Sequence, residues 1–248
     1  MKKYLLLLAF MLPVLTPAAA HSDADRLLAE AVAEAKQQVV PDRYAYVRRL
    51  HVIAEDERVD SRERYDPDRP RGERWTLLEV DGEAPTEKDL RDYDPDEPAG
   101  VDIKGADAPS ELYSEIVGDI EPREAKLLEE TDSYAIFSID KSVSRFLDDE
   151  QAEFKDGIVG RLRLEKAAQG PYVSEVRLYA PKPIRAFIGT GFDRFELTFA
   201  FTRHETGGHV LPTRFLFDMD MKALLFISVG VTTDIAFEDW TYQAGNAD

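Results

Sequence analysis

Arg194-Phe195-Glu196-Leu197-Thr198-Phe199-Ala200-Phe201 is the stretch from which the rest of the chain can be read. Phe195, Leu197, Phe199 and Phe201 occupy every second position, with Arg194, Glu196 and Thr198 between them. A strand turns successive side chains to opposite faces, so this spacing predicts a strand that is apolar on one side and wet on the other. Outward from it, strand-like runs recur at 126–128, 134–139, 158–165, 172–179, 213–219, 225–231 and 235–240. Turn signals separate them at Asp156-Gly157, Gly170-Pro171, Gly207-Gly208 and across 218–222.

Upstream, residues 44–55 read as a first strand with a bulge at Arg48-Arg49, where the alternation slips. Residues 59–65 and 74–80 continue a meander that ends in the turn signal Asp81-Gly82. Connections this short permit hairpins but not the crossovers that parallel strands need. The fold class expected is therefore mainly β with helices (α+β): a curved antiparallel sheet forming a half-barrel covered by helices. The phenylalanine face is too large for one thin helix to cover, which points to a closed barrel or a half-barrel with an internal cavity.

Helix signals lie at the two remaining places. Leu27, Leu28, Ala31, Val32 and Ala35 recur at helical spacing within 22–38, with Ser22 and Asp25 placed as a capping box and Pro41 as a stop. Thr86 is placed to cap 87–93 and Ser110 to cap 111–117, with the Asp/Pro-rich loop 94–100 between them.

The chain opens with Met1-Lys2-Lys3, an apolar run over 4–15 and Thr16-Pro17-Ala18-Ala19-Ala20, the order of a secretory signal. Cleavage after Ala20 is expected, leaving 21–248 as a single domain without a membrane span, since the run is shorter than the roughly 20 residues a helical span needs. With no cysteine, the lipid-modified cysteine of a bacterial lipoprotein, disulfides and thiolate metal sites are all excluded. A formal charge of −18, with no Lys/Arg cluster rising out of the acidic background to offset it, argues against nucleic acid and anionic lipid surfaces as partners.

Candidate chemistry is sparse. Of His21, His51, His204 and His209, only the last two could meet, with Glu205, around a tight hairpin, and two polar residues beside a turn explain them as well. Carboxylate pairs such as Asp148-Asp149 and Glu129-Glu130 follow from composition alone. There is no nucleophile elbow, phosphate loop, zinc-protease helix or calcium loop. Arg69, Arg71 and Arg74 could grip an anionic headgroup, but Asp66, Asp68 and Glu73 stand ready to neutralise them, and Trp75 reads as an apolar anchor.

Two segments carry a family likeness: "YDPDRPRGERWTLLEVDGEAPT", residues 65–86, and the ending from "GRLRLEK", residues 160–166, through "PYVSEVRL", "LPTRFLF" and "FEDW". This combination resembles outer-membrane lipoprotein-sorting-like bacterial envelope proteins, related in architecture to the periplasmic lipoprotein carriers. The resemblance implies an eleven-stranded antiparallel half-barrel closed by helices over an apolar cavity, in a Gram-negative periplasm. The expectation is then a non-enzymatic periplasmic binder or carrier of a lipid or lipoprotein acyl chain, without cofactor or metal, lined by Phe195, Leu197, Phe199, Phe201, Phe215 and Phe217. The alternative is a protein-interaction or envelope-stress regulatory module with a self-filled core and an envelope protein as partner. A hydrolase built from converging carboxylates is the third reading.

Overall fold

The computed structural model describes residues 23–54, 57–95, 109–147, 155–185, 191–223 and 227–244. The expected signal segment 1–20, His21, the Ser22 cap, Asp148-Asp149 and most of the loop 94–100 lie outside these residues. Among the described residues the strands form one antiparallel sheet in the order β3-β2-β1-β11-β10-β9-β7-β6-β5-β4, with β8 paired to β9. The strands are β1 Tyr44–Ala54, β2 Glu57–Tyr65, β3 Trp75–Val80, β4 Lys126–Glu130, β5 Tyr134–Ser138, β6 Val159–Ala167, β7 Gly170–Tyr179, β8 Ile184–Arg185, β9 Gly191–Arg203, β10 Val210–Ala223 and β11 Ile227–Tyr242. The sheet is open, with β3 and β4 at its edges, so the closed-barrel form is not what the chain builds. The meander is kept except that β1 joins β11, which places the N-terminal three strands beside the last one.

Among the described residues three α-helices accompany the sheet: α1 Asp23–Gln37, α2 Glu87–Asp92 and α3 Pro109–Gly118. α1 buries Ala24, Leu28, Ala31, Val32 and Ala35, the stripe its spacing predicts, and packs on α3 and β7. Its end is pinned by a two-way amide contact: Gln38 Nε2 donates to the Val210 carbonyl at 3.0 Å, and Val210 N–H donates to Gln38 Oε1 at 2.8 Å. Arg203 adds a second anchor, reaching from β9 to both carboxylate oxygens of Glu34 at 2.7 and 3.0 Å. α3 begins at Pro109, one residue before the expected cap, so Ser110 lies in its first turn; proline is suited to that position because its missing N–H would have no partner there. α3 packs against β10 and β7, and Tyr113 Oη accepts the Val173 N–H at 3.1 Å.

Three strand readings change. The slip at Arg48-Arg49 is not a bulge; the irregularity lies between Ala45 and Val47, and Arg48 keeps the inward alternation between Tyr46 and Leu50 as a buried cation opposite Glu63. The polar stretch 218–222 is not a turn but the second half of β10. The runs 225–231 and 235–240 are joined in one sixteen-residue strand, β11, although Leu225 itself lies outside the described residues.

Candidate functional site

The register of the central strands brings the six expected lining residues together. Phe199 stands opposite Phe215 and Leu197 opposite Phe217, while Phe195 faces Met219 and Phe201 faces Pro212. Residues directly opposite in an antiparallel pair share a face, so the apolar face continues through Ile235 and Thr233 of β11 to Leu50 and Val52 of β1 and on to Ser61 and Val59 of β2. Ring centroids are 5.3 Å apart for Phe199 and Phe215 and 6.2 Å for Phe195 and Phe217, within the range where tilted aromatic pairs attract.

Burial divides this face. Phe195, Leu197, Phe199, Phe201 and Phe215 are between 2 % and 8 % exposed and belong to the same hydrophobic cluster as the buried sides of α1 and α3. Phe217, Met219 and Met221 of β10 and Val52 of β1 pack against that cluster but stay partly exposed, and Val59 of β2 is 41 % exposed. One end of the face is thus filled by the chain itself, and the other end stays partly exposed.

The opposite face is charged and paired across strands. Arg177 meets Glu196 at 3.0 Å, Arg194 meets Asp218 at 2.9 Å, and Arg214 takes both oxygens of Asp234 at 2.7 and 2.8 Å. Arg194 is exposed and Glu196 partly so, as expected, but Thr198 is buried: its hydroxyl donates to Glu196 Oε1 at 3.2 Å beneath these long side chains. Among the described residues no group of three or more His, Asp or Glu is placed to hold a metal ion.

His204 and His209 do come close, both packing edge-on to the Tyr44 ring at 5.5 and 5.7 Å. Both are held within the hairpin and its neighbours. His204 contacts the Thr206 and Trp240 carbonyls at 2.8 and 3.0 Å. The Tyr44 hydroxyl donates to the Thr206 carbonyl at 3.0 Å, and with its one proton so directed it accepts from His209 Nδ1 at 2.9 Å. Burial, then the neighbouring His204 charge, holds the His209 imidazole below its ordinary pKa. Gly207, at φ 90°, is where this hairpin needs glycine: a Cβ there would lie 2.6 Å from Tyr44 Oη.

Two of the three clustered arginines are paired, with partners that differ in part from those expected. Arg69 lies 3.6 Å from Asp66, whereas Arg74 reaches Asp42 at 2.8 Å and the Tyr65 hydroxyl at 3.1 Å. Trp75 is half-buried and sits in an aromatic group with Tyr46 and Tyr65, with the Arg48 guanidinium 4.4 Å from its ring centre. No helix among the described residues is long and apolar enough to cross a membrane. Against models of known families, curated proteins and solved structures, the chain matches none.

Proposed function

We propose that this chain is a non-enzymatic, exported periplasmic binder of a lipid or lipoprotein acyl chain, and that its sheet acts as a half-barrel holding the chain against the partly exposed end of the apolar face. The observation that carries the reading is the partial exposure of Phe217, Met219, Met221, Val52 and Val59 on the face whose other end forms the core. Apolar area withdrawn from water is worth about 25 cal/mol per Å², and flexible methionines adapt to a chain of varied shape. The signal-like start and the likeness of residues 65–86 and 160–240 to lipoprotein-sorting-like proteins favour the same reading.

Titration with a fluorescent fatty-acyl probe tests it. Met219→Asp, which puts a charge at the partly exposed end, is expected to weaken uptake by about ten-fold or more, since burying an unpaired carboxylate is costly. Glu196→Gln, on the charged face, is expected to leave uptake unchanged. Phe199→Ser is a poor substitute for Met219→Asp, because Phe199 is 5 % exposed and its loss acts on the fold itself.

A second reading has its own observation: five of the six expected lining residues are buried in the core cluster. This favours a protein-interaction module with a self-filled core. A wild-type chain that takes up no probe and carries no lipid would select it.

A further inference from the structure

Residues of β2, β3 and the α2 region line a pocket of about 440 Å³, within the size range of small-molecule sites. Val59, Leu77 and Val80 give it an apolar wall. Six carboxylates against one guanidinium, that of Arg58, make its lining acidic. Acidity alone would mean little in a chain of charge −18. What singles out this pocket is that three buried polar atoms in its lining have no hydrogen-bond partner: Ser61 Oγ, Glu63 Oε1 and Tyr93 Oη.

Glu63 is 1 % exposed, and a buried carboxylate normally uses both oxygens. Here Glu63 Oε2 receives both Arg48 Nε at 3.0 Å and Arg48 Nη2 at 2.5 Å, so the pair is not the two-oxygen fork that arginine usually forms. Oε1 is left to the pocket. Ser61, 6 % exposed, stands two positions away on the same face of β2. Tyr93 is fixed at the end of α2, its N–H bonded to the Asp89 carbonyl at 2.9 Å. Burial first, then the Glu63 charge, pushes the Tyr93 hydroxyl well above its ordinary pKa and keeps it a neutral group that accepts as well as donates.

A ligand that answers these three atoms supplies several donors and a positive charge on a short apolar body. An ammonium has three donors and no acceptor. A carboxylate or phosphate would be repelled by the rim, and a neutral alcohol has a single proton to offer three oxygens. We infer that this pocket binds a small alkylammonium cation, its nitrogen held by Glu63 Oε1, Ser61 Oγ and Tyr93 Oη and its carbon chain against Val59, Leu77 and Val80. The site borders the proposed acyl-chain surface at Val59, but its polar contacts, Ser61, Glu63 and Tyr93, carry no part of that reading.

Isothermal titration of the full chain with n-hexylammonium, n-hexanol and hexanoate tests it. The ammonium is expected to bind about ten-fold tighter than either isostere, as charge-assisted hydrogen bonds to a buried carboxylate require. Tyr93→Phe and Ser61→Ala are each expected to weaken it several-fold without lowering the melting temperature, because each deletes a buried hydroxyl that has no partner in the folded chain. Equal affinity for the three probes, no binding of hexylammonium, or unchanged hexylammonium affinity in both variants would overturn the assignment. A fall in melting temperature in both variants would do so too, since it would assign the hydroxyls to the fold.

Discussion

Arg48 and Glu63 hold opposite charges out of water, with 4 % and 1 % of their side chains exposed. Removing one partner of such a pair strands the other, so Glu63→Ala is expected to cost about 3–5 kcal/mol in a urea melt. Replacing both, as Arg48→Met with Glu63→Leu, should return much of that loss, since apolar residues of similar volume do not have to be desolvated as ions. His209 makes a prediction about pH. Its folded-state pKa lies below the ordinary 6.5, so the unfolded chain binds the proton more readily. Its contribution to stability is therefore complete above about 6.5 and is lost as pH falls through the folded-state value. Urea midpoints of the wild type should drop more between pH 7 and pH 5 than those of His209→Gln; identical slopes would contradict the sign. Residue by residue, the sequence was clearest where chemistry and position agree, as at Phe195, Leu197, Phe199 and Phe201, which are all buried. It was misleading at Arg48, because a charge at an inward position looks like a slip in register until the carboxylate fifteen residues on is seen beside it.

At the scale of elements, α2 is six residues long and buries none of them, so its caps matter more than its packing. Thr86 Oγ1 accepts the Asp89 N–H at 3.2 Å, and the Asp89 carboxylate accepts the Thr86 N–H at 2.8 Å, the reciprocal pairing of a capping box. The Thr86 hydroxyl, donating to Asp89 Oδ2 at 2.6 Å, and then the Thr86 N–H hold the Asp89 carboxyl below its ordinary pKa. Thr86→Ala should cost about 1 kcal/mol of local stability. Hydrogen exchange reads this directly: the amides of Leu90 and Tyr93 should exchange faster while those of β9 do not change, and uniform acceleration would mean that α2 is coupled to the whole fold. This helix was legible because its capping signal is local. β10 and β11 were misread because Asp218, Asp220, Thr232 and Asp234 look like turn residues. In the sheet they occupy the charged face, bonded to Arg194, Ser228, Asp218 and Arg214 respectively, while Met219, Met221 and Thr233 keep the inward alternation. Only the neighbouring strands reveal those partners. The pocket beside α2 was illegible for the same reason, since Ser61, Glu63 and Tyr93 meet only after β2 and α2 are placed.

Across the whole molecule, one side of the sheet is mostly apolar from β9 to β2, interrupted by the buried Arg48–Glu63 pair, and the other is laced with exposed ion pairs, largely as the alternation of one strand implied. The edges and the joining of β1 to β11 were not in that pattern, because nothing local tells a first strand that its neighbour is the last. Exposed ion pairs each contribute little to stability, so the charged face answers chiefly for solubility, and the apolar face answers for both the core and the proposed binding. Any acyl chain seated along Phe217, Met219, Met221, Val52 and Val59 would extend the core that Phe199 and Phe215 begin. Native mass spectrometry of the chain, gently purified from the envelope of cells making it, tests this account most directly. A discrete lipid-sized mass increment that disappears in Met219→Asp, with the variant still folded, is the expected result. Only the bare protein mass, even after incubation with excess phospholipid and fatty acid, would contradict it.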